Sequence, residues 1–311
     1  MPRPLALFLI AALLSPVTNA ADKPAAAPTG EVAKLIAPGA AIEKVASDYK
    51  FTEGPAADPD GNVYFTDQPN DRILMWDAAT NKIDVFLQPA GRSNGLCFDK
   101  AGRLIACADD KNELWAIDPK TKAVTVLVKD FGGKLLNGPN DVWAAPDGAL
   151  YFTDPLYKRE YWKRDPKQQQ DVMAVYLLPA GAKEPRRVAT DLKQPNGIVG
   201  TADGKTLYVA DIGAKKTFRY TVAPDGALIE KKLFCDMGSD GMTLDAAGNL
   251  YLTGKGVTVF APTGDKLGVI DVPEGWTANI CFGGKSMDTL FITASKSVYT
   301  LKMTVKGAGS Q

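Results

Sequence analysis

The sequence has 311 residues, with 36 Lys and Arg, 36 Asp and Glu and no His, so its formal net charge is zero. This charge balance gives no sign of the basic surface that nucleic-acid binding requires. The missing histidine excludes Ser-His-Asp and Cys-His catalysis, His-ligated zinc and a histidine general base.

The first 20 residues have the pattern of a secretory signal peptide. A single basic residue, Arg3, precedes an apolar run at 5–14, and a Thr-Asn-Ala end follows at 18–20. The run is too short to span a membrane. We therefore predict cleavage after Ala20 and a periplasmic or secreted protein without a membrane partner.

The remaining chain divides into a linker, one domain and a short tail. Residues 21–36 are rich in Ala, Pro and Lys and lack a strand pattern, which predicts a linker. Residues 37–305 are predicted to form the domain, and 306–311 a tail. Residues 41–46 alternate weakly, and we predict an outer strand there that pairs with a C-terminal strand at 297–303.

A repeated pattern organises the domain. In each repeat a polar residue, here called the opening residue, begins an apolar run, and an aromatic-rich strand follows. The six opening residues, spaced by 39 to 56 residues, are Glu53, Asn94, Asn140, Asn196, Asp240 and, more weakly, Asn279. Repeats of this length made of short strands are typical of a β-propeller. We predict an all-β, six-bladed propeller whose N-terminal strand closes the last blade.

Each blade is expected to hold about four strands. In the first blade they are predicted at 56–58, 63–66, 72–76 and 82–87. Inner strands line the central channel, so all six opening residues are expected at one mouth. Asn and Asp are also common where strands start, and that simpler interpretation stays open, although Glu53 is a poor turn former.

The predicted ring offers carboxylate and amide oxygens. Such oxygens suit one divalent cation, and Ca²⁺, which accepts about six to eight of them, is the ion we expect. Mg²⁺, Mn²⁺ or a loosely held Zn²⁺ could occupy the same ring. Three further acids, Asp67, Asp154 and Asp211, end second strands near this mouth. They either orient the Asn amides or simply end their strands.

The longest repeat interval, from Asn140 to Asn196, contains a basic and aromatic run. It follows a strand that returns toward the opening residues. Residues 156–170 are therefore predicted to form a partial lid, with Tyr157, Tyr161 and Trp162 as candidate substrate contacts. An ordinary surface insertion is an equal alternative.

The four cysteines give no sign of a disulfide between the nearest pair. With a hairpin turn centred on Lys100 and Ala101, Cys97 is predicted opposite Leu104, and Cys107 opposite Asn94. Pairing of Cys235 and Cys281 stays open. We expect buried free thiols at all four positions.

Five short motifs carry a resemblance to a known family. They are FTEGP at 51–55, GRSNGL at 91–96, NGPNDV at 137–142, QPNGI at 194–198 and SDGM at 239–242. Together they resemble the senescence-marker-protein/gluconolactonase family of regucalcin-like and luciferin-regenerating-enzyme-like propellers, in the family's order. The resemblance implies Glu53, Asn196 and Asp240 as direct metal ligands, Asn140 as a ligand or substrate contact, and Asn94 as a substrate contact.

The resemblance also implies an activity. It predicts an exported, divalent-metal-dependent hydrolase of a small-molecule sugar lactone, of the gluconolactonase type, in which the cation polarises the carbonyl and Asp240 activates water. Two departures lie away from the metal ligands: residues 108–112 replace a His-Gly-Asn-Arg-Arg-like stretch, and Gly138 replaces an Arg of some animal members. Two alternatives therefore stay open. One is hydrolysis of organophosphates or other esters on the same site, and the other is a non-catalytic, ligand-binding propeller with a structural calcium.

Overall fold

The computed structural model describes residues 28–309. The predicted signal peptide and residues 21–27 of the predicted linker lie outside this range. Within it, no helix has the length and apolarity needed to cross a membrane.

The described residues form a six-bladed β-propeller of antiparallel sheets, as predicted. From inner to outer strand, the first three blades are as follows. Blade one is Thr52–Ala57, Val63–Asp67, Arg72–Asp77 and Lys82–Leu87. Blade two is Ser93–Phe98, Leu104–Ala108, Glu113–Ile117 and Val124–Val128. Blade three is Val142–Ala144, Leu150–Asp154, Ala174–Leu178 and Arg186–Ala189.

The other three blades continue around the axis. Blade four is Pro195–Gly200, Thr206–Asp211, Lys216–Val222 and Leu228–Cys235. Blade five is Met242–Leu244, Leu250–Gly254, Gly256–Phe260 and Lys266–Ile270. Blade six is Thr277–Gly283, Thr289–Ala294, Ser297–Lys302 and Glu43–Ala46. The smaller elements are a hairpin of Asp130–Phe131 and Lys134–Leu135, and 3-10 turns at Glu31–Leu35, Gln68–Asn70 and Asp109–Lys111.

The prediction that an N-terminal strand closes the ring is confirmed. Glu43 pairs with Thr300 at the outer edge of blade six, so strands from the two ends of the domain share one sheet. Aromatic residues of the second strands hold neighbouring blades together. Tyr64 packs edge-on against Phe98 of blade two at 5.3 Å between ring centroids.

The opening residues do not always start their strands. In blade one the inner strand begins at Thr52, four residues before the predicted start, and the register shifts between Glu53 and Ala56. Similar shifts follow Ser93 in blade two and Pro195 in blade four. Such bulges change the direction in which a side chain points, and here they lie at the opening residues.

Part of the segment predicted as a linker has regular structure. Thr29 and Gly30 pair with Val269 and Gly268, which adds a fifth strand to blade five. Val32, in the following 3-10 turn, is fully buried against blades five and six. A strand of two residues followed by a single buried valine is too short to produce a periodic pattern in the sequence. The linker prediction is therefore wrong for residues 29–36.

The predicted tail also packs on the propeller. Gly307 forms a bridge with Asp245, and Ala308 N–H donates to Leu244 O at 3.0 Å. Leu244 ends the inner strand of blade five, so this segment lies at the end of the channel away from the opening residues.

All four cysteines are free thiols. The hairpin turn is centred on Ala101, since Asp99 N–H donates to Arg103 O, so Cys97 pairs with Ile105 instead of Leu104. Cys107 pairs with Leu114 of the third strand. Cys97 and Cys107 are buried, as expected. Cys235 and Cys281 are only partly buried, so the expectation of full burial is wrong for these two.

Candidate active site

The opening residues meet in one ring because the residue after most of them is glycine. A Cβ atom on Gly54 would lie 2.1 Å from the Asn94 carbonyl oxygen of the next blade, and one on Gly241 would lie 2.0 Å from the Asn279 side chain. Distances this short leave no space for a side chain. The four blades with this glycine therefore bring their opening residues directly against the next blade, as the predicted ring requires.

Threonines of the second strands fix the backbone of this ring. The hydroxyl of Thr66 donates to the Asn94 carbonyl at 3.1 Å, and that of Thr153 donates to the Asn196 carbonyl at 2.8 Å. In both cases the bond runs from one blade to the next. The positions of Asn94 and Asn196 are thus set by contacts between blades.

Two hydrogen bonds donated by the side-chain nitrogen of Asn196 fix the orientation of its amide. Its Nδ2 donates to the Tyr157 hydroxyl at 2.7 Å and to Asp240 Oδ1 at 2.8 Å. Both amide hydrogens therefore have acceptors. Within residues 28–309, Asn196 Oδ1 is buried without a hydrogen-bond partner. A buried amide oxygen of this kind is costly unless a donor or a cation meets it.

Two carboxylates complete the surroundings of that oxygen. Burial raises the pKa of Glu53 well above its usual value, the charge of Asp240 raises it further, and hydrogen bonds from Gly54 and Asn279 lower it. Burial also raises the pKa of Asp240, against hydrogen bonds from Trp276 and Asn196. Two buried carboxylates that repel each other are stabilised by a cation between them.

These residues fit a divalent cation. Among residues 28–309, no three His, Cys, Asp or Glu side chains are grouped as a metal site. The set that fits is Glu53, Asp240 and the unpartnered oxygen of Asn196. Hard cations such as Ca²⁺ prefer carboxylate and amide oxygens and add water where the protein offers too few.

Asn94 and Asn140 lie in the same ring. Both are buried, and Gly95 N–H donates to the Asn140 carbonyl at 2.7 Å, which joins blades two and three. Asn279 of blade six closes the ring, because its side chain lies against Gly241 of blade five and close enough to Glu53 to lower the pKa of that acid. The structure thus brings together all six opening residues.

Asp141 stands where four other blades have glycine. Its Oδ1 accepts from Val142 N–H at 3.0 Å and its Oδ2 from Ile198 N–H at 3.4 Å. Burial raises its pKa to about 8. Asp141 is therefore a third buried acid beside the ring, and its carboxyl group keeps its proton at neutral pH.

The predicted lid contacts the ring through one of its three candidate residues. Tyr157 accepts the hydrogen bond from Asn196. Tyr161 and Trp162 instead donate to Asp109 Oδ2, at 3.3 and 2.9 Å. Asp109 belongs to the stretch that departs from the family pattern, and it anchors the lid to blade two.

The acids that end second strands do not orient the Asn amides. Asp67 accepts from the backbone of Lys50 and Phe51, and Asp154 accepts from Asn137 and Gly138 at 2.9 and 2.8 Å. Asp211 binds the backbone of Lys193 and Gln194 in the same way. Each acid therefore holds the loop that enters its blade's inner strand.

Sequence reasoning missed two residues at the site. Trp276 donates its indole N–H to Asp240 Oδ2 at 2.7 Å. The one feature of the sequence that could have indicated Trp276 is its position three residues before the opening residue Asn279. Arg159 lies close enough to Asp240 for its charge to lower the pKa of that acid. Nothing in the composition of the lid separates Arg159 from the other basic residues around it.

Comparisons with known proteins agree with this geometry. The sequence profile of the SMP-30/Gluconolactonase/LRE-like region matches residues 51–296. A gluconolactonase of Zymomonas mobilis is 30% identical over 291 residues, which cover 84% of this chain and 81% of the relative.

Solved structures give the same result. A gluconolactonase from Xanthomonas campestris has a TM-score of 0.81 at 29% identity, over 90% of this chain and 95% of the other. A regucalcin from Agrobacterium tumefaciens shares the fold at a TM-score of 0.71 and 21% identity, over 85% and 94%. By its motifs, its fold and its profile match, the chain belongs to the SMP-30/gluconolactonase/LRE-like family.

Proposed function

We propose that the protein is a divalent-metal-dependent hydrolase of a sugar lactone. The observation that carries this proposal is the buried, unpartnered Asn196 Oδ1 beside the carboxylates of Glu53 and Asp240. Relatives that are named gluconolactonases support the substrate class. The regucalcin from Agrobacterium tumefaciens is described as calcium-binding, which supports Ca²⁺ as the ion.

Glu53, Asn196 and Asp240 would hold the cation. When bound, a divalent cation supplies a Lewis acid for the lactone carbonyl and for the negative charge that develops on it. Asn140 is a further oxygen ligand or, like Asn94, binds the substrate. The ring of opening residues and the family motifs support these proposed roles.

Asp240 is the proposed general base. It accepts hydrogen bonds from Asn196 and Trp276, which hold the carboxylate in place at the mouth of the channel. It removes a proton from the water that attacks the ring ester.

Tyr157 is positioned to donate a proton or a hydrogen bond. Its hydroxyl oxygen accepts from Asn196, so its own hydrogen is directed elsewhere. Burial raises its pKa, and the charge of Asp240 raises it further, so the phenol stays protonated at neutral pH. A neutral donor here can stabilise the oxygen that becomes negative as the ring opens.

A lactone panel with metal analysis tests this function. We expect the purified protein to hydrolyse aldonolactones, to lose this activity in chelator and to regain it with Ca²⁺. Activity on organophosphates or simple esters without lactone hydrolysis would favour the first alternative. A bound cation with no activity on any of these substrates would instead favour the ligand-binding propeller.

We also propose that the protein is exported. The support is the composition of residues 1–20, with one basic residue, an apolar run and a small-residue end. N-terminal sequencing of the protein from the periplasm or medium should give a chain that starts near Ala21. Recovery of the intact N-terminus from the cytosol would contradict export.

A further inference from the structure

Two arginines of the lid share a single carboxylate. Arg164 Nη2 donates to the Asn137 carbonyl at 3.0 Å and lies 3.4 Å from Asp109 Oδ1. Arg159 Nε lies 3.9 Å from Asp109 Oδ2, which is beyond hydrogen-bond distance. Asp109 therefore faces both arginines. Arg164 also lies near Asp154 and Asp110, and Arg159 is the farther of the two from Asp109.

Asp109 has little capacity left for Arg159. Its Oδ2 already accepts the indole N–H of Trp162 at 2.9 Å and the hydroxyl of Tyr161 at 3.3 Å. Within residues 28–309, Arg159 Nε is buried without a hydrogen-bond partner. A buried guanidinium N–H without an acceptor is unfavourable, and an anionic ligand would supply the acceptor.

Arg159 also lies over the proposed active site. Its guanidinium carbon is 5.0 Å from the centre of the Tyr157 ring, and the hydroxyl of that ring is bonded to Asn196. The charge of Arg159 acts on Asp240 as well. The side chain is 23% exposed, so a molecule at the mouth can reach it.

We propose that Arg159 is a specificity-determining residue that binds a negatively charged substituent on the lactone. A guanidinium presents several N–H groups in one plane, which suits a carboxylate or another oxyanion. The substituent would lie at the end of the substrate away from the ring ester, because Arg159 is on the lid and the ester is attacked at the ring of opening residues. This inference rests on the proposed lactonase function.

Steady-state kinetics on two matched lactones test the inference. One is gluconolactone, which is neutral, and the other is glucarolactone, in which a carboxylate replaces the terminal hydroxymethyl group. We expect the wild type to have a higher kcat/KM for glucarolactone. In Arg159→Gln this preference should fall by about tenfold or more, mainly through KM, as the loss of a hydrogen bond to a charged group predicts.

Two controls make the ratio interpretable. Lys158→Gln removes the same charge from an adjacent, exposed position and should keep the wild-type preference. Each variant is assayed on the plateau of its own pH profile, because removal of Arg159 also changes the pKa of Asp240. Competitive inhibition of the wild type by glucarate should be stronger than by gluconate, and this readout does not depend on the folding of any variant.

The outcomes separate the inference from the proposed function. A wild type that hydrolyses gluconolactone but shows no preference for glucarolactone, and no stronger inhibition by glucarate, would overturn the inference and leave the lactonase function in place. An unchanged preference in a folded Arg159→Gln variant would also overturn it. A wild type inactive on both lactones would contradict the proposed function and this inference together.

Discussion

The two carboxylates of the ring differ in what they touch. Asp240 accepts side-chain donors from Asn196 and Trp276, whereas Glu53 Oε2 accepts the backbone N–H of Gly54 at 2.8 Å. Asp240 is therefore held by two side-chain donors at the mouth, whereas Glu53 has the Gly54 backbone and the Asn279 side chain beside it. This difference supports two roles for Asp240, ligand and base, and one role for Glu53, ligand.

Substitution of each carboxylate by its amide should separate these roles. At saturating cation, Asp240→Asn is expected to lower kcat by about 10²–10⁴, because it removes the proton acceptor. Glu53→Gln removes the same charge but no base, so excess Ca²⁺ should largely restore its activity. The measurement is kcat as a function of Ca²⁺ concentration for both variants.

Equal rescue of both variants by added cation would show that Asp240 is a ligand only. Asp141 would then be the next candidate base, because it is the remaining acid beside the ring and its pKa is raised to about 8. Asp141→Asn, assayed under the same conditions, would decide between them.

The buried acid Asp141 predicts a pH-dependent stability. Its pKa is about 8 in the folded protein because of burial, and about 4 in an unfolded chain. The folded state therefore binds the proton more tightly than the unfolded chain does. The stabilisation that protonated Asp141 gives the folded protein is fully present below pH about 4 and is lost as the pH rises through about 8. In chelator, the free energy of unfolding should fall by up to about 1.4 kcal/mol per pH unit for this group.

Urea unfolding at pH about 5 and about 8 measures this effect. Asp141→Asn removes the ionisable group and should show a smaller loss of stability over the same range. Asp154, whose pKa burial raises to about 7, remains in the variant, so some pH dependence is expected to persist. The same pH dependence in both proteins would contradict the assignment to Asp141.

At this scale the sequence predicted the ring but not its hydrogen bonds. Glu53, Asn94 and Asp240 could be found because the repeat and the motifs mark them. Trp276 and Arg159 could not, because each reaches the site from a loop without a repeat position. The direction of an amide such as Asn196 depends on contacts between blades, which no local pattern records.

At the scale of elements, one acid makes several of the contacts that hold the lid. Asp109 is buried, and burial raises its pKa against the charges of Arg159 and Arg164 and hydrogen bonds from the lid. It joins the lid to the 3-10 turn after the second strand of blade two. The other contacts of the lid include Tyr157 with Asn196, Arg164 with the Asn137 carbonyl and Arg92 with the Tyr161 ring.

Replacement of this acid should loosen the lid. Asp109→Ala leaves the two arginines without their carboxylate and removes the acceptor of Trp162, so trypsin is expected to cleave the lid at least several-fold faster. Asp110→Ala is the matched control, since Asp110 is more exposed and its ion pair with Lys111, at 3.6 Å, is a contact of small value. Equal cleavage of both variants would contradict the anchoring role.

Strand order was predictable, whereas strand boundaries at the ring were not. Repeats and Asp-Gly turns at positions such as 60–61 and 203–204 mark the hairpins. The bulges at Glu53 and Ser93 depend on how close the neighbouring blade comes. Thr29 and Gly30 form a strand because they pair with the outer strand of blade five, so their own sequence gives little indication of a strand.

At the scale of the whole molecule, the proposed cation connects blade one with blades four and five, to which the chain does not join it directly. Glu53 belongs to blade one, Asn196 to blade four and Asp240 precedes the inner strand of blade five. Blade one meets blade six, and blade six meets blade five, so ligands on blades one, four and five enclose the axis. A cation at this position links opposite sides of the ring.

The last prediction follows from that placement: removal of the cation should destabilise the whole propeller, not one blade. A ligand that binds only the folded state adds about 2.7 kcal/mol at a hundredfold excess over its dissociation constant. For a domain of this size that corresponds to a fall of roughly 5–10 °C in Tm in chelator. Calorimetry should show one transition that Ca²⁺ shifts back, and a smaller Ca²⁺ shift at the same concentration for Glu53→Gln. If the melting curve of the wild type were the same in chelator and in Ca²⁺, the unpartnered Asn196 oxygen would have to be explained by an ordered water instead, and the metal dependence proposed for the enzyme would be wrong.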